Sequence, residues 1–257
     1  MGRSTAIERL TAAAAAALRH RIAQRREVSS LAMCTRYAVP DQQTVEGEFS
    51  PRRTWWKFTE RFNVAPAQRT PVVRLHERES EGVVMRWGLI PSWTKGTLGA
   101  GRAEIHAPSE AVQTSSLFGP IWRESQRCIV PLAGFYVWQL TNARYRQPYF
   151  VQFLGQPVFG VAAVWDRWVT DEDDVIESCA LITAPPNSLL ADVQGSSQSM
   201  PAILRREDYE LWLHGKPGEV HALLRTYPAE RMLTHPVSPR VNSLVEDDWL
   251  LARAVRS

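Results

Sequence analysis

The stretch that decides the fold is RCIVPLAGFYVW, at residues 127–138. It contains two short apolar runs, Cys128–Pro131 and Gly134–Trp138, which are rich in Val, Ile and aromatic side chains. Short runs of this composition, punctuated by Pro and Gly, are typical of β-strands, because branched and aromatic side chains fit a pleated surface. The stretch therefore predicts two successive strands with a short connection.

Short apolar runs punctuated by Pro and Gly also occur on both sides of this stretch. Further strands are predicted at Val72–Leu75, Gly82–Trp87, Tyr149–Phe153, Val158–Val164 and Cys179–Ile182. Helical patterns lie between and after the strands, near residues 52–61, 187–193, 206–214, 219–226 and 244–255. Many strands with helices around them, without regular βαβ alternation, favour the α+β class with a largely antiparallel β-sheet or barrel core.

The N-terminal segment differs from the rest of the 257-residue chain. Residues 1–32 are rich in Ala and Arg and carry a charge of +4, so the remaining residues carry −1 of the total +3. Residues 4–27 are predicted to form one helix, because Ala is the best helix former. We therefore expect a basic helical extension at residues 1–32 and one domain at residues 33–257. The near-neutral domain does not by itself indicate nucleic-acid binding, so that function must rest on local positions.

The spacing of the cysteines and the length of the apolar runs indicate in which cellular compartment the protein is expected. Three widely spaced cysteines without C-x-x-C spacing predict neither a disulfide framework nor a zinc site, and no cofactor or metal is expected. The run at residues 12–18 imitates a short export signal, but Arg19 follows it where a small-residue cleavage site would belong. A transit peptide fits this Arg-rich segment slightly better. No run approaches the ~20 apolar residues that cross a bilayer, so we expect a cytoplasmic protein.

Five segments between Met33 and about Asn242 carry a family resemblance. They are MCTRY at 33–37, FNVAP at 62–66, RWGLIPSW at 86–93, the opening stretch at 127–138, and MPAIL at 200–204, joined later by PVSPRVN at 236–242. In this order and spacing they resemble the SOS-response-associated peptidase (SRAP) family. The resemblance implies processing of abasic sites in single-stranded DNA, with the DNA as partner, no membrane and a monomeric protein.

The implied chemistry centres on Cys34. A cysteine at the mature N-terminus offers a thiol and a free α-amine, and a ring-opened abasic site is an aldehyde. The amine adds to give an imine, and the thiol closes on the same carbon to give a thiazolidine. An α-amine pKa of about 7.7–8.0 leaves part of the amine unprotonated near neutrality. The resemblance therefore implies a covalent DNA–protein crosslink through Cys34.

Cys34 is preceded by 33 residues, which the chemistry cannot tolerate. Either translation begins at Met33, which is then removed, or residues 1–33 are cut off, by the self-cleavage that the family implies. The plain alternative is that Cys34 is a small buried hydrophobic residue.

Three positions depart from the family pattern. Its Asn-Ala-Arg-x-Glu corresponds to residues 100–104, where Ala100 replaces the asparagine. Val137 stands where the family has a glutamate, in its Gly-aromatic-Tyr-Glu-Trp string, and the histidine of the family's His-x-Arg-Met-Pro corresponds to Gln194 or Ser197. Neither Gln194 nor Ser197 can act as a proton shuttle near pH 7.

The matched positions that survive supply the other candidate residues. Glu104 is the remaining acid and a candidate catalytic group. Arg36 and Arg102 are candidate phosphate ligands, because a guanidinium suits bidentate contact with phosphate. An apolar wedge or stacking platform is expected from Pro66, Trp87 and Trp93. The alternatives are solvated arginines and tryptophans packed in the core.

Other functions remain in competition. The runner-up is a catalytically decayed relative that binds single-stranded DNA without crosslinking it. A thiol hydrolase using Cys34 with a distant histidine has little support, since His106 and His235 lie in no recognisable partner pattern and are expected to be structural or surface residues. A serine hydrolase would need the missing G-x-S-x-G elbow, and the glycines between Gly96 and Gly101 lack dinucleotide-binding spacing.

Overall fold

The computed structural model describes residues 34–95, 103–140 and 146–255. Within these residues the strands are β1 (Tyr37–Val39), β2 (Arg53–Thr54), β3 (Arg61–Val64), β4 (Arg69–His76), β5 (Glu79–Trp87), β6 (His106–Pro108), β7 (Arg127–Leu132), β8 (Gly134–Leu140), β9 (Arg146–Phe153), β10 (Phe159–Val169), β11 (Val175–Ala184), β12 (Met200–Pro201) and β13 (Met232–Pro236). The α-helices are α1 (Gln42–Phe49), α2 (Phe118–Arg123), α3 (Ser188–Gln194), α4 (Tyr209–His214) and α5 (Pro217–Val220).

The strands form two sheets. One has the order β13-β9-β8-β1-β3, and the other has the order β12-β11-β10-β7-β4-β5-β2, with β6 beside β11. Strand β11 also pairs in parallel with β5, so β11, β10, β7, β4 and β5 close into a five-stranded barrel. The remaining pairs are antiparallel except for β2 with β5 and β6 with β11. The predicted α+β class with a largely antiparallel barrel is confirmed.

The opening stretch supplies one strand to each sheet. All six residues of β7 are buried in the barrel wall, whereas β8 pairs with β1 and β9 in the second sheet. Gly134 starts β8, and a Cβ atom there would lie 2.2 Å from the ring of Phe150 and 2.6 Å from the backbone oxygen of Val151. The chain therefore needs glycine where it passes from the barrel to the second sheet.

All seven predicted strands are present, but the helix predictions are mixed. The helices predicted near 187–193 and 206–214 are confirmed, and the region 219–226 holds only the end of α5 and a 3₁₀ turn. The helix predicted at 52–61 is wrong, since Arg53–Thr54 is a strand that pairs with β5. The region 244–255 contains only a 3₁₀ turn, Trp249–Ala252. Helix α1 was missed, although Asp41 caps it through the backbone N–H of Thr44.

Hydrogen bonds made by the side chains of Asn63 and Asp247 join the C-terminal segment to β3. The buried side-chain amide of Asn63 donates to the backbone oxygens of Ser243 and Glu246, at 2.9 and 2.8 Å. Asp247 accepts from the backbone N–H groups of Phe62 and Asn63, at 2.6 and 2.9 Å, and pairs with Arg61. The same Asn63 amide also donates to the backbone oxygen of Val241, at 3.3 Å, so the motifs at 62–66 and 236–242 lie together.

The expected extension at residues 1–32 and its helix lie outside the described residues. The described part from Cys34 onward belongs to one compact unit. None of the helices described in this part of the chain has the length and apolar character of a membrane-spanning segment.

Candidate functional site

Cys34 lies immediately before β1 and is fully buried. Its thiol donates a hydrogen bond to the backbone oxygen of Arg36, at 3.1 Å, and also lies by the backbone N–H of Tyr136. Burial raises the pKa of the Cys34 thiol to about 12, and backbone hydrogen bonding from Arg36 and Tyr136 to the sulfur only partly offsets the effect. The sulfur is therefore a neutral thiol near pH 7, held in a fixed orientation.

His106, on β6, contacts the main chain of the same residue. Its Nε2 atom lies 3.1 Å from the backbone oxygen of Cys34. Burial lowers the pKa of His106 to about 4, so the ring is neutral near pH 7 and must carry its proton on Nε2 to donate this bond. Strand β6 is placed by parallel pairing with β11, in which His106 lies opposite Leu181. His106 therefore fixes the main chain of Cys34.

The GFYVW string at residues 134–138 lies on β8, next to the segment that begins at Cys34. The backbone N–H of Tyr136 donates to the oxygen of Arg36, at 3.0 Å, and the Tyr136 hydroxyl donates to the oxygen of Phe62, at 2.8 Å. Val137 follows on the same strand and is buried. The position of the family glutamate is therefore an apolar part of the wall near the cysteine.

Arg36 is half-buried two residues after the cysteine. One guanidinium nitrogen, Nη1, donates to the backbone oxygen of Thr35, at 2.7 Å, whereas the buried Nε atom has no hydrogen-bond partner among the described residues. Burial lowers the pKa of Arg36 from its ordinary value, but a guanidinium remains charged near neutrality. The Arg36 guanidinium has lost part of its hydration and remains charged, so it is suited to bind an anion.

Trp87 is fully buried and therefore has no ring face on which a base could stack. Its ring centroid lies 4.6 Å from that of Tyr37 and 6.2 Å from that of His106, and its indole N–H donates to the oxygen of Ile105, at 3.1 Å. The expectation that Trp87 forms part of an exposed platform gives way to the alternative, core packing. Trp87 therefore packs against Tyr37 on β1 and against His106, the residue that bonds to the main chain of Cys34.

Pro66 is half-buried in a tight turn that is tied to Trp87. The turn is closed by a bond from the N–H of Gln68 to the oxygen of Ala65, at 3.1 Å. The backbone of Trp87 bonds to both Ala67 and Gln68, at 2.7 and 2.8 Å. Ala67 has a φ of +72°, a left-handed conformation that a non-glycine residue adopts only under such constraint. The turn therefore presents Pro66 on a rigid support.

Trp93 is about half exposed, at 49%, on a turn that follows β5. The turn is held by the N–H of Ser92, which donates to the carboxylate of Asp166, at 2.7 Å, and by the oxygen of Thr94, which accepts from the indole of Trp168, at 2.9 Å. The structure therefore leaves Trp93 as the predicted tryptophan with a surface for stacking.

Glu104 is exposed, and its backbone pairs with that of Leu89 through bonds of 2.9 and 3.3 Å. It lies two residues before His106, so in an extended chain both side chains point to the same side. Arg102 and Ala100 lie outside the described residues. Gln194 is committed elsewhere, since its amide donates to the oxygen of Ser199, at 2.9 Å, and Ser197 is exposed.

The structure thus places Cys34, Arg36 and Val137 in one region, with Trp87 packed in the core beside them. It adds one residue, His106, that the sequence did not single out as part of the site. His106 was expected to be a structural or surface residue, and its structural bond to the main chain of Cys34 places it at the candidate site. Its position two residues after Glu104 in a matched motif was the available signal. His235, in contrast, bonds to the oxygen of Ala252, at 2.8 Å, as a structural residue. In the described part of the chain no group of His, Cys, Asp or Glu is arranged to hold a metal ion.

A family model and several curated proteins match this chain over most of its length. The family model described as "SOS response associated peptidase (SRAP)" matches residues 33–244. Among curated proteins, "Abasic site processing protein YoqW" of Bacillus subtilis is 31% identical over 209 residues, which cover 79% of this chain and 86% of that protein. "Abasic site processing protein HMCES" of Mus musculus is 27% identical over 225 residues, which cover 73% of this chain and 63% of that protein.

Solved structures show the same fold. A protein from Bacteroides thetaiotaomicron superposes with a TM-score of 0.76 at 23% identity, covering 87% of this chain and all of that chain. A phage-related protein from Bordetella bronchiseptica gives a TM-score of 0.63 at 20% identity, covering 79% of this chain and 94% of that chain.

Proposed function

The chain belongs to the SOS response associated peptidase family, and on that premise we propose that it processes abasic sites in single-stranded DNA through a covalent adduct at Cys34. The observation that carries the proposal is the pair formed by Cys34 and Arg36. A buried thiol is held at the start of β1, and two residues later a partly buried guanidinium keeps a donor without a partner. Nucleophile and phosphate ligand thus lie on one short segment.

The reaction requires the polypeptide to begin at Cys34. Self-cleavage after Met33, or removal of Met33 as an initiator residue, frees the α-amine. The amine attacks the aldehyde of the ring-opened abasic site, and loss of water gives an imine. The thiol then adds to the imine carbon, and its proton passes to the nitrogen, which closes the thiazolidine. One water leaves in total, and no oxidant or cofactor is needed.

The neutral state of the thiol favours this order of steps. With its pKa raised to about 12, the Cys34 sulfur is a poor first nucleophile near pH 7, whereas an α-amine with a pKa of about 7.7–8.0 is partly free. Once the imine has formed, thiol and carbon are held on the same residue, so ring closure is a unimolecular step.

Proton transfer is where this chain departs from its family. Val137 cannot take a proton from the amine, and Gln194 cannot give one to the sugar oxygen. Loss of one general acid–base group typically lowers a rate by about 10²–10⁴, and two losses in one unit do not simply multiply. We propose Glu104 as a weak substitute and expect slow crosslinking.

A second function is favoured by the same substitutions. If Val137 and Gln194 have removed catalysis altogether, the chain is a module that binds single-stranded DNA through Arg36, Arg102 and Trp93 without crosslinking. The two proposals differ in one observable, which is a bond that survives denaturation.

The test uses protein that begins at Cys34 and a labelled single strand with one abasic site, analysed over time on denaturing gels. We expect a slow shifted band that Cys34→Ala abolishes and Glu104→Gln weakens, and no band on DNA without the abasic site. Binding without any shifted band would overturn crosslinking and leave the binding module. A band that persists in Cys34→Ala would place the chemistry on another residue.

A further inference from the structure

A groove of about 420 Å³ opens at the far end of β1 from the cysteine. Its lining includes Val39, the last residue of β1, together with Trp55, Lys57, Arg69 and Thr70. Five residue steps separate Val39 from Cys34, which is at most about 17 Å at ~3.3 Å per residue. A volume of this size is larger than a single small anion needs and falls in the range of pockets for small organic ligands.

Positive charge is available on the wall of the groove. Lys57 and Arg69 are exposed, and neither has an ion-pair partner among the described residues. Arg61 also lines the groove, but it is already paired with Asp247 and donates to Gln68, at 3.0 Å. Two uncommitted cations therefore remain to meet a ligand that brings negative charge, and the exposed Glu60 is the one acid next to them in the chain.

The exposed indole ring of Trp55 lines the same groove as these cations. Trp55 is 72% exposed, yet its backbone N–H donates to the oxygen of Gly82, at 2.8 Å. Its neighbour Trp56 is buried and donates from its indole to Glu46, at 2.9 Å, with its ring 5.4 Å from that of Phe58. Because side chains alternate along an extended segment, the anchoring of Trp56 directs Trp55 outward. The fold therefore keeps the Trp55 side chain exposed.

We propose that this groove binds one nucleotide of the DNA strand that carries the abasic site, at a distance from the reacting sugar. The base stacks on the indole of Trp55, and Lys57 and Arg69 contact the adjoining phosphates. A positively charged groove combined with an exposed aromatic ring is the arrangement that binds single strands without sequence preference. The inference rests on the proposed function, and it adds a second contact region that lengthens the DNA site beyond Cys34 and Arg36.

The experiment compares two abasic oligonucleotides, one of about three nucleotides and one of about twelve, with protein that begins at Cys34. Affinity is measured by fluorescence anisotropy over a range of salt concentrations. The variants are Trp55→Ala, Trp55→Phe and the pair Lys57→Ala with Arg69→Ala. The control pair is Arg123→Ala with Arg205→Ala, two exposed arginines that do not line the groove. Thermal unfolding verifies that each variant is folded.

Stacking of one base predicts that Trp55→Ala weakens binding of the long strand about five- to hundredfold, while Trp55→Phe retains most of it. Loss of both cations should lower the salt slope on the long strand by about 1.4, twice the value for one phosphate. Binding of the short strand, and its adduct rate at saturation, should not change.

Three outcomes would overturn the proposal. The first is unchanged affinity of the long strand in both groove variants. The second is an equal loss in the control pair, which would show that only overall charge matters. The third is an equal loss on the short strand. Absence of any adduct in the wild type would count against the proposed chemistry, but the anisotropy measurement would still decide whether the groove binds DNA.

Discussion

The Nε2 atom of His106 lies 3.1 Å from the backbone oxygen of Cys34, so a neutral imidazole holds the main chain of the proposed nucleophile. We predict that His106→Leu slows adduct formation about 5- to 100-fold, because loss of the bond lets the amine and thiol move away from the aldehyde. His106→Gln keeps an N–H donor and should recover part of the rate. Single-turnover time courses at saturating DNA measure this effect. Equal rates in all three proteins would show that His106 only fills space.

The lowered pKa of His106 also predicts a pH effect on stability. Its folded pKa is about 4, below the ordinary 6.5, so the unfolded chain takes up a proton first as the pH falls. The contribution is complete above pH 6.5 and is lost between pH 6.5 and 4, with a limit of roughly 3 kcal/mol. Urea unfolding of wild type and His106→Gln at several pH values isolates this residue. The wild-type free energy of unfolding should fall more steeply over this interval, and parallel curves would contradict the prediction.

Val137 marks the place where a family acid is replaced by a buried methyl pair. We predict that Val137→Glu accelerates adduct formation at least about tenfold, because a carboxylate beside Cys34 can accept the proton of the amine. The same change should lower the melting temperature, since it buries a charge in an apolar wall. Val137→Gln is the matched control, similar in size but unable to accept the proton. If the glutamine variant were as fast as the glutamate variant, proton transfer would not be the cause.

Arg36 is a half-buried cation two residues after Cys34, and we predict that the exposed part of its guanidinium contacts one phosphate. Arg36→Ala should weaken binding of single-stranded DNA and reduce the salt slope by about 0.7. Arg36→Lys should preserve the slope but not the full affinity, because an ammonium lacks the planar fork of a guanidinium. Arg102→Ala is expected to act in the same direction. An unchanged slope and affinity in Arg36→Ala would reduce this residue to a part of the scaffold.

The strands were predictable from sequence because each apolar run is buried locally in a sheet. The helix predicted at 52–61 was wrong because Trp55 and Trp56 alternate between exposed and buried, a strand period that the apolar content concealed. The short α1 depends on its cap at Asp41 more than on an apolar stripe. Local patterns therefore identified the barrel strands but not the elements that are specified by single polar contacts.

The site was predictable only where family motifs cover it. Cys34 and Arg36 follow from MCTRY, but the contact of His106 with Cys34 depends on the parallel pairing of β6 with β11, which joins segments about 75 residues apart. No local pattern encodes such a pairing. The exposure of Trp93 and the burial of Trp87 likewise depend on what packs against them, so the sequence alone left both alternatives open for each.

The central claim, that the α-amine and thiol of Cys34 together capture the abasic site, is tested most directly by intact mass spectrometry. Two proteins are incubated with the same abasic strand, one beginning at Cys34 and the other carrying a single glycine before it. The first should gain the mass of the strand less one water, and the second should gain nothing, because its thiol is present but its α-amine is blocked. Equal adduct yields from the two proteins would contradict the account.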